Sequence, residues 1–496
     1  MRHFAVILLL ISSAATALAQ WMPPNSPPVE YVWHEDATLC NYMFISTHRS
    51  ISPSQYKPTN LILDEKGHVV WWQKSNVAML DFKIHANGLI SYEQAQQYFI
   101  LDSTFNVIDT VECVGLNTDV HELVMTADGH YFIPCTEDSI MDLSHLNTRD
   151  GVPGDTATEV HGSVVQELDA QKNLVRDWHA FEHFDVEDVD SVFFRIPNRM
   201  ELNHINSIFV DDHGGVLMSM RFNHELTYVD WATGELIWRF GGGPNNEFAL
   251  VNDIGINSQH FGQFLPDGQV SVFDNGTYHA QPAGRGVVYT LDTVNMTAMR
   301  TWEYAVPNMI SSIYGSFQVR ENGDALINFG GYSPLIYPNV VYVRPNGDLV
   351  WEMHIEDLYW TYRAFCLDIP FDLGRPEVYC REEAGQVYLG TDSTNGDFLW
   401  QDYSQNYEIA VTDTGNFQVF VRKGIGWIGS EVYHVSDVNA PCSAIVDVPE
   451  VMEARPKPVK SLGIYDLWGR KVERTVRGKI YIERFSDGNA RKFVVK

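Results

Sequence analysis

Short runs of Val, Ile, Tyr, Phe and Trp, cut by Asp-Gly, Asn-Gly and Gly-Gly turns, recur along most of the chain, and long stretches of 3.6-residue periodicity are missing. The pattern predicts strands throughout. It also repeats. An apolar strand, an Asp, a turn and a second apolar strand ending near Trp occur at LILDEKGHVVWW (61–72), FILDSTFNVIDTV (99–111), VQELDAQKNLVRDW (165–178), LTYVDWATGELIWRF (226–240), VVYTLDTVNMTAMRTW (287–302) and VVYVRPNGDLVW (340–351). A second class of hairpin is interleaved: HELVMTADGHYFIP (121–134), HINSIFVDDHGGVLMSMR (204–221), HFGQFLPDGQVSVFDNG (260–276) and GSFQVRENGDALINFGG (315–331). Two hairpins make a four-stranded blade, so six copies predict an all-β, six-bladed β-propeller over residues 20–380. The uneven spacing requires loop insertions, the largest at roughly 136–203. Residues 381–447 still alternate like strands and are expected to form a small β-sandwich, followed by a Pro-containing linker at 448–460 and a last β unit at 461–496.

Composition narrows the setting. Met1-Arg2-His3, an apolar run from Phe4 to Ile11 and the small residues ending Ala17-Leu18-Ala19 have the order of a cleavable secretory signal, residues 1–19. No later stretch approaches the ~20 apolar residues of a membrane helix, so the expectation is an exported protein with no membrane span. The formal charge is −30, but residues 455–496 carry a net +8, leaving −38 on the rest. An acidic body of that size repels nucleic acid and excludes it as a partner class. Six cysteines show no zinc-ribbon spacing. Export permits disulfides; Cys366 and Cys380, nearest in sequence across a Pro/Gly-containing turn, are a candidate pair among 15 possible pairings.

Candidate chemistry lies at the starts of the interleaved hairpins. His121, His204 and His260 open three of them, and Gly315 stands where a fourth His would be. Equivalent positions on different blades fall on a ring around the channel, so the three imidazoles should converge at one mouth. Asn206 and Arg221 share a hairpin with His204, Gln259 precedes His260, and Asn275 ends the same hairpin; His183 lies in the insertion. A guanidinium fork, amide groups and imidazoles suit a tetrahedral oxyanion, sulfate or phosphate, and supply a nitrogen nucleophile. Three imidazoles also suit an open zinc site, and that reading, a metal-dependent hydrolase, stays open here, with Arg221 beside a dication counting against it. A third reading is a non-catalytic surface propeller that binds a glycan or protein. The acidic run at Glu182, Asp185, Glu187, Asp188 and Asp190 matches no EF-hand spacing and reads as a solvated loop.

Two resemblances sharpen this. The chain resembles the bacterial aryl-sulfate sulfotransferase family through the His of 121–134, the W-H/D-H stretch at 178–183, H-x-N-S at 204–207 with Arg221, Q-H…L-P-D-G…F-D-N-G at 259–276, and Tyr362-Arg363-Ala364. The resemblance implies a six-bladed propeller that moves a sulfuryl group from an aryl sulfate donor to a phenolic acceptor, without a cofactor or metal. It implies His260 as the transiently sulfonated nucleophile, with His121, His204, Asn206 and Arg221 binding the sulfuryl oxygens; His183, Gln259 and Asn275 are further candidates. The family's His-Asp is His260-Phe261 here, which leaves open what orients the imidazole. Residues 461–496 resemble the C-terminal sorting domain of the Bacteroidetes type IX secretion system, through Tyr465-Asp466-Leu467, Gly469-Arg470-Lys471-Val472, Gly478, Tyr481-Ile482 and the final Lys-Phe-Val-Val-Lys. That implies the type IX machinery as a partner and a secreted or cell-surface location.

Overall fold

A computed structural model describes residues 21–35, 40–48, 56–331, 338–355, 359–393 and 396–438, with Cys442 and the short strand segments 16–19, 461–465, 471–472, 480–485 and 490–494. The signal-like segment and the linker thus fall almost wholly outside the described residues. The chain divides into two compact units, one made of residues 1–378, 391–407 and 418–432 and the other of the remainder.

The first unit is a six-bladed propeller. The six repeats with Asp turns are the outer hairpins of the six blades, and the turn residue explains why they recur. The carboxylate of Asp64 accepts the backbone N–H of Lys66 and His68, Asp102 those of Thr104 and Asn106, and Asp169 those of Gln171 and Asn173. Such a side chain replaces a backbone acceptor and closes a tight reversal. The strands so joined pair antiparallel, as Leu61 with Trp72 and Tyr342 with Trp351. Their Trp residues pack between layers: Trp71 and Trp351 are fully buried, each burying an aromatic area of ~150–250 Å².

Blade 1 closes the ring. Its inner strand, Trp360–Leu367, comes from the far end of the propeller sequence and pairs with Tyr42–His48, ahead of Thr59–Asp64 and Val69–Lys74. Cys40 is bridged to Cys366 across this seam, 326 residues apart. Blades 2, 4, 5 and 6 start at the inner strands Leu80–Ile84, Ile205–Val210, His260–Phe264 and Ser316–Val319. In blade 3 two short inner segments, Asn117–Thr118 and Val124–Met125, both pair with the long strand Tyr131–Met141.

The insertion after blade 3's second strand is structured. Tyr131–Met141 and Thr158–Leu168 run far past the blade as a hairpin, and Arg199–Glu201 adds to the latter in parallel. In the acidic run Glu182, Asp185 and Glu187 are exposed, as a solvated loop requires, while Asp188 accepts from Asn245 at 2.7 Å and Asp190 from His224 Nε2 at 3.0 Å.

Two expectations are corrected. Cys366 does not pair with Cys380: the bridges are Cys40–Cys366, Cys113–Cys135 and Cys380–Cys442. Ring closure places Cys366 beside the first blade, a proximity that sequence spacing does not carry. Residues 381–447 do not form one sandwich either. Phe398–Trp400, Val419–Lys423 and Gly426–Gly429 extend the outer edge of blade 1, where Trp427 stacks on Trp72 with ring centroids 5.6 Å apart. The second unit contains the sheet of Val378–Glu383, Gln386–Thr391 and Glu408–Ala410, a two-stranded pair at Gly415–Phe417 and Tyr433–Val435, and the carboxy-terminal sheet. That last sheet has the spatial order 471–472, 461–465, 480–485, 490–494. Among the described residues no helix is long and apolar enough to cross a membrane.

Candidate functional site

Inner strands of four blades carry a register shift at the channel, at Leu80/Lys83, Ile205/Ser207, His260/Gln263 and Thr361/Ala364. A bulge bends the strand and re-aims its side chains. Asp81, Phe261 and the neighbouring His204 and Tyr314 all adopt positive φ, between 48° and 62°, a region non-glycine residues enter rarely and at a cost of ~1–3 kcal/mol. The backbone is strained where the channel residues are displayed. Gly315 explains the missing fourth His: its φ is +112°, and a Cβ there would lie 2.2 Å from the Phe273 ring.

The three expected imidazoles come together. The His121 and His204 rings meet edge to face with centroids 4.6 Å apart, and His260 feels the charge of Arg221, His121 and His204. Each is anchored through Nδ1. That of His121 donates to Asp119 at 2.6 Å, that of His204 to Glu201 at 2.9 Å and that of His260 to Asn275 Oδ1 at 2.6 Å. Carboxylates only accept, which fixes the first two tautomers. For the third, Asn275 Nδ2 donates to the carbonyls of Ser311 and Tyr314, at 3.2 and 2.9 Å, so its oxygen must face the ring. The backbone N–H of Tyr314 also donates to His260 Nε2 at 3.2 Å. Both ends agree that His260 carries its proton on Nδ1 and its lone pair on Nε2. This answers the missing His-Asp: an amide fifteen residues on holds the tautomer.

The charges differ from ring to ring. His260 is only 2% exposed, and burial, seconded by the positive Arg221, pushes its pKa well below the ordinary value, so the ring stays neutral. Burial also lowers His204, against the pull of Glu201 and with the push of His121 and Arg221. At His121 burial works downward too, but the Asp119 carboxylate outweighs it and the pKa rises. Arg221 is buried, which brings it down to about 10 and leaves it charged at neutral pH. Its Nη2 donates to Ser312 O at 3.0 Å, while its Nε is buried with no partner. The guanidinium lies over the rings of Phe193 and Phe222, and Phe222 stacks on His204 at 4.7 Å. An empty buried donor costs ~1–3 kcal/mol, more when charged, and an anion's oxygen would fill it.

The other expected residues take different places. Gln259 is fully buried and spends Nε2 on Met220 O, Glu225 O and Ser219 Oγ, bracing blade 4. Asn206 gives Nδ2 to Gln259 O at 2.7 Å and has no partner for Oδ1, so its donor is committed to the strand of His260. His183 lies flat on Trp178 at 4.9 Å, with no described bond to the three imidazoles. Among the described residues no group of three or more His, Cys, Asp or Glu is placed to hold a metal ion.

Several residues escaped the sequence reading. Asp119 and Glu201 sit two and three positions before their His, a spacing open to inspection. Arg363, which the sequence reading named as part of Tyr362-Arg363-Ala364 but gave no role, is buried and donates to Asp81, Glu122 and Asn206 O at 2.7, 2.7 and 2.6 Å. His48 is buried with neither ring nitrogen partnered, 5.3 Å from the Tyr314 ring, and burial takes its pKa down to about 4.

A radial scaffold that holds a neutral imidazole near a buried guanidinium with an unpartnered donor is suited to binding an anion. The chain belongs to the arylsulfotransferase family: the family model for arylsulfotransferase (ASST) matches residues 29–363, all within the propeller. No curated protein matches it. Solved structures similar to it include a protein of unknown function from Bacteroides caccae, 11% identical over 65% of this chain and 98% of that one, with a TM-score of 0.41. A streptogramin B lyase is 10% identical over 70% and 94%, with a TM-score of 0.34. A catalytically inactive virginiamycin B lyase from Staphylococcus aureus, solved with quinupristin, is 9% identical over 71% and 94%, with a TM-score of 0.31.

Proposed function

We propose that the protein transfers a sulfuryl group from an aryl sulfate to a phenol through a sulfonated His260. The observation that carries this is the tautomer of His260, with Nδ1–H held by Asn275 and the Nε2 lone pair directed away from that anchor. In the first half-reaction Nε2 gives up the Tyr314 N–H, attacks sulfur, and the sulfur–oxygen bond to the donor phenol breaks. In the second the acceptor phenol's oxygen attacks the same sulfur and the N–S bond breaks, returning Nε2 to the Tyr314 N–H. Arg221 and His121 supply the positive charge that offsets the sulfuryl oxygens, and His204, stacked on Phe222, lines the same space. Ping-pong kinetics follow from the covalent intermediate.

The test is to mix purified protein with a chromogenic aryl sulfate, without acceptor, and weigh the peptide that contains His260. A gain of one SO3, absent in His260→Ala and discharged by added phenol, is expected. Phenol release that persists in His260→Ala removes the proposal; release abolished by a chelator would instead favour metal-dependent hydrolysis, and no release from any aryl sulfate a binding propeller.

On the same footing, residues 1–19 are proposed to start export and residues 461–496 to direct type IX secretion to the surface or medium. Deleting 461–496 should strand the propeller in the periplasm; a truncated chain that still reaches the medium would end that part.

A further inference from the structure

The described carboxylates around His121 and His204 have positive or imidazole partners, with one exception. Asp81 and Glu122 share Lys83 and Arg363, Asp119 holds His121, and Glu201 holds His204. The exception is Glu93, only 2% exposed, near the end of the blade 2 strand Ile90–Gln94. Its side chain makes one described hydrogen bond, accepting the Gln96 N–H at 2.6 Å. That bond braces a two-residue hairpin turn in which Ala95 and Gln96 both take positive φ, 55° and 64°. Gln96 in turn lines the cavity of about 240 Å³ that reaches His121 and His204. A carboxylate buried without a counter-charge is costly, so such a group resists ionisation. Resting on the sulfuryl-transfer reading above, we propose that Glu93 is a specificity-determining residue that reads the charge of the sulfate donor: its neutral carboxyl admits the ester's negative charge, and its carboxylate turns that charge away.

The groups facing Glu93 set where the gate works. Asp81 lies on the inner strand of its own blade, Tyr98 on the next strand outward, Asp119 and His121 come from blade 3, and Tyr314 from blade 6. Burial pushes the Glu93 carboxyl up to about 7, with Asp119 and Asp81 adding to the rise and the Gln96 N–H and His121 working against it. Tyr98 and Tyr314 are themselves pushed upward by burial and stay neutral across this range. Below about 7 the carboxyl is neutral and the anion meets Arg221 and His121; above it the new negative charge opposes the anion. By linkage the two binding events favour each other, so the site takes up a proton on Glu93 as it takes in its anion. The group transferred and the bonds broken are unchanged: Glu93 acts on entry of charge, not on the reacting atoms.

The decisive experiment has a kinetic and a binding arm. In wild type the KM for 4-nitrophenyl sulfate should rise about tenfold between pH 6.5 and pH 8.5 while kcat moves far less, as expected of a like charge appearing beside a bound anion. Glu93→Gln, whose amide oxygen still accepts the Gln96 N–H, should hold KM flat, and Glu93→Asp should restore the rise. A rise that persists in Glu93→Gln belongs to His121 losing its proton and overturns the proposal. The binding arm uses benzylsulfonate, a monoanion whose carbon–sulfur bond keeps it from reacting, in calorimetry at pH 7 with buffers of different ionisation enthalpy. Wild type should take up roughly half a proton more than Glu93→Gln on binding it; equal uptake by the two proteins, or no binding to wild type, overturns the gate. Proton-linked binding of the sulfonate by a wild type that never becomes sulfonated at His260 supports the gate and overturns the sulfuryl-transfer reading instead.

Discussion

At residue scale, the three imidazoles show how one side chain takes different work from its anchor. A carboxylate and an amide oxygen both accept from Nδ1 and both fix the tautomer, but the carboxylate adds a full negative charge that favours the charged ring more strongly. His260 has the amide, whose upward pull is outweighed by burial and by Arg221. The sign of the consequence is definite. Its folded pKa lies well below the unfolded value, so Nε2 keeps its lone pair at neutral pH and into the acid range, and stability falls as pH drops below about 6.5, where the unfolded ring gains a proton the folded one refuses. Replacing Asn275 tests this. Asn275→Asp keeps the acceptor, raises the pKa of His260 and should create an acid limb in the sulfonation rate that wild type lacks, falling about tenfold per pH unit below the new value. Asn275→Leu frees the tautomer and should cost about 10²-fold or more at all pH. A flat acid side in Asn275→Asp would show that the charge of the Nδ1 acceptor does not govern the protonation of His260.

At element scale, what was legible follows from how local each signal is. The outer hairpins announce themselves because Asp64, Asp102 and Asp169 close turns within four residues of their own position. His121, His204 and His260 were readable because each begins an inner hairpin, so chain register stands in for position around the ring. The anchors Asp119 and Glu201 lay within three residues of their His and needed only attention to spacing. Inner strands of blades 1 and 2 have neither a His start nor a repeat partner, and the closing strand Trp360–Leu367 reads as the repeat fading. Tyr314 contributes a backbone N–H, which no side-chain pattern reports. The strands at 398–400, 419–423 and 426–429 alternate as any strand does, and alternation does not say which sheet they join; the stacked Trp72 and Trp427 decide that. Likewise Cys366 pairs with Cys40 because the ring closes, not because the sequence brings them near.

At the scale of the whole molecule, one side chain holds the centre of the ring. Arg363 lies on the closing strand of blade 1 and reaches Asp81 of blade 2, Glu122 at the inner edge of blade 3 and the carbonyl of Asn206 in blade 4, with its guanidinium 4.9 Å from the Phe261 ring of blade 5. Lys83 adds a second cation, 2.8 Å from Asp81 and also paired with Glu122. Two buried carboxylates and two cations balance, which is the condition under which burying them is tolerable. Neutralising one member breaks that balance. Arg363→Met should therefore destabilise the propeller by about 3–5 kcal/mol, because it strands a buried negative charge, and Arg363→Lys should recover part of the loss, keeping the charge without the fork. Denaturant midpoints of the three proteins measure this. The strut also bears on the site, since the Asn206 strand is where His204 emerges, so the midpoint loss should be accompanied by slower His260 sulfonation. If Arg363→Met unfolds at the wild-type midpoint, the ring is held by its seam, the paired strands and Cys40–Cys366, and the central ion cluster contributes nothing to closure.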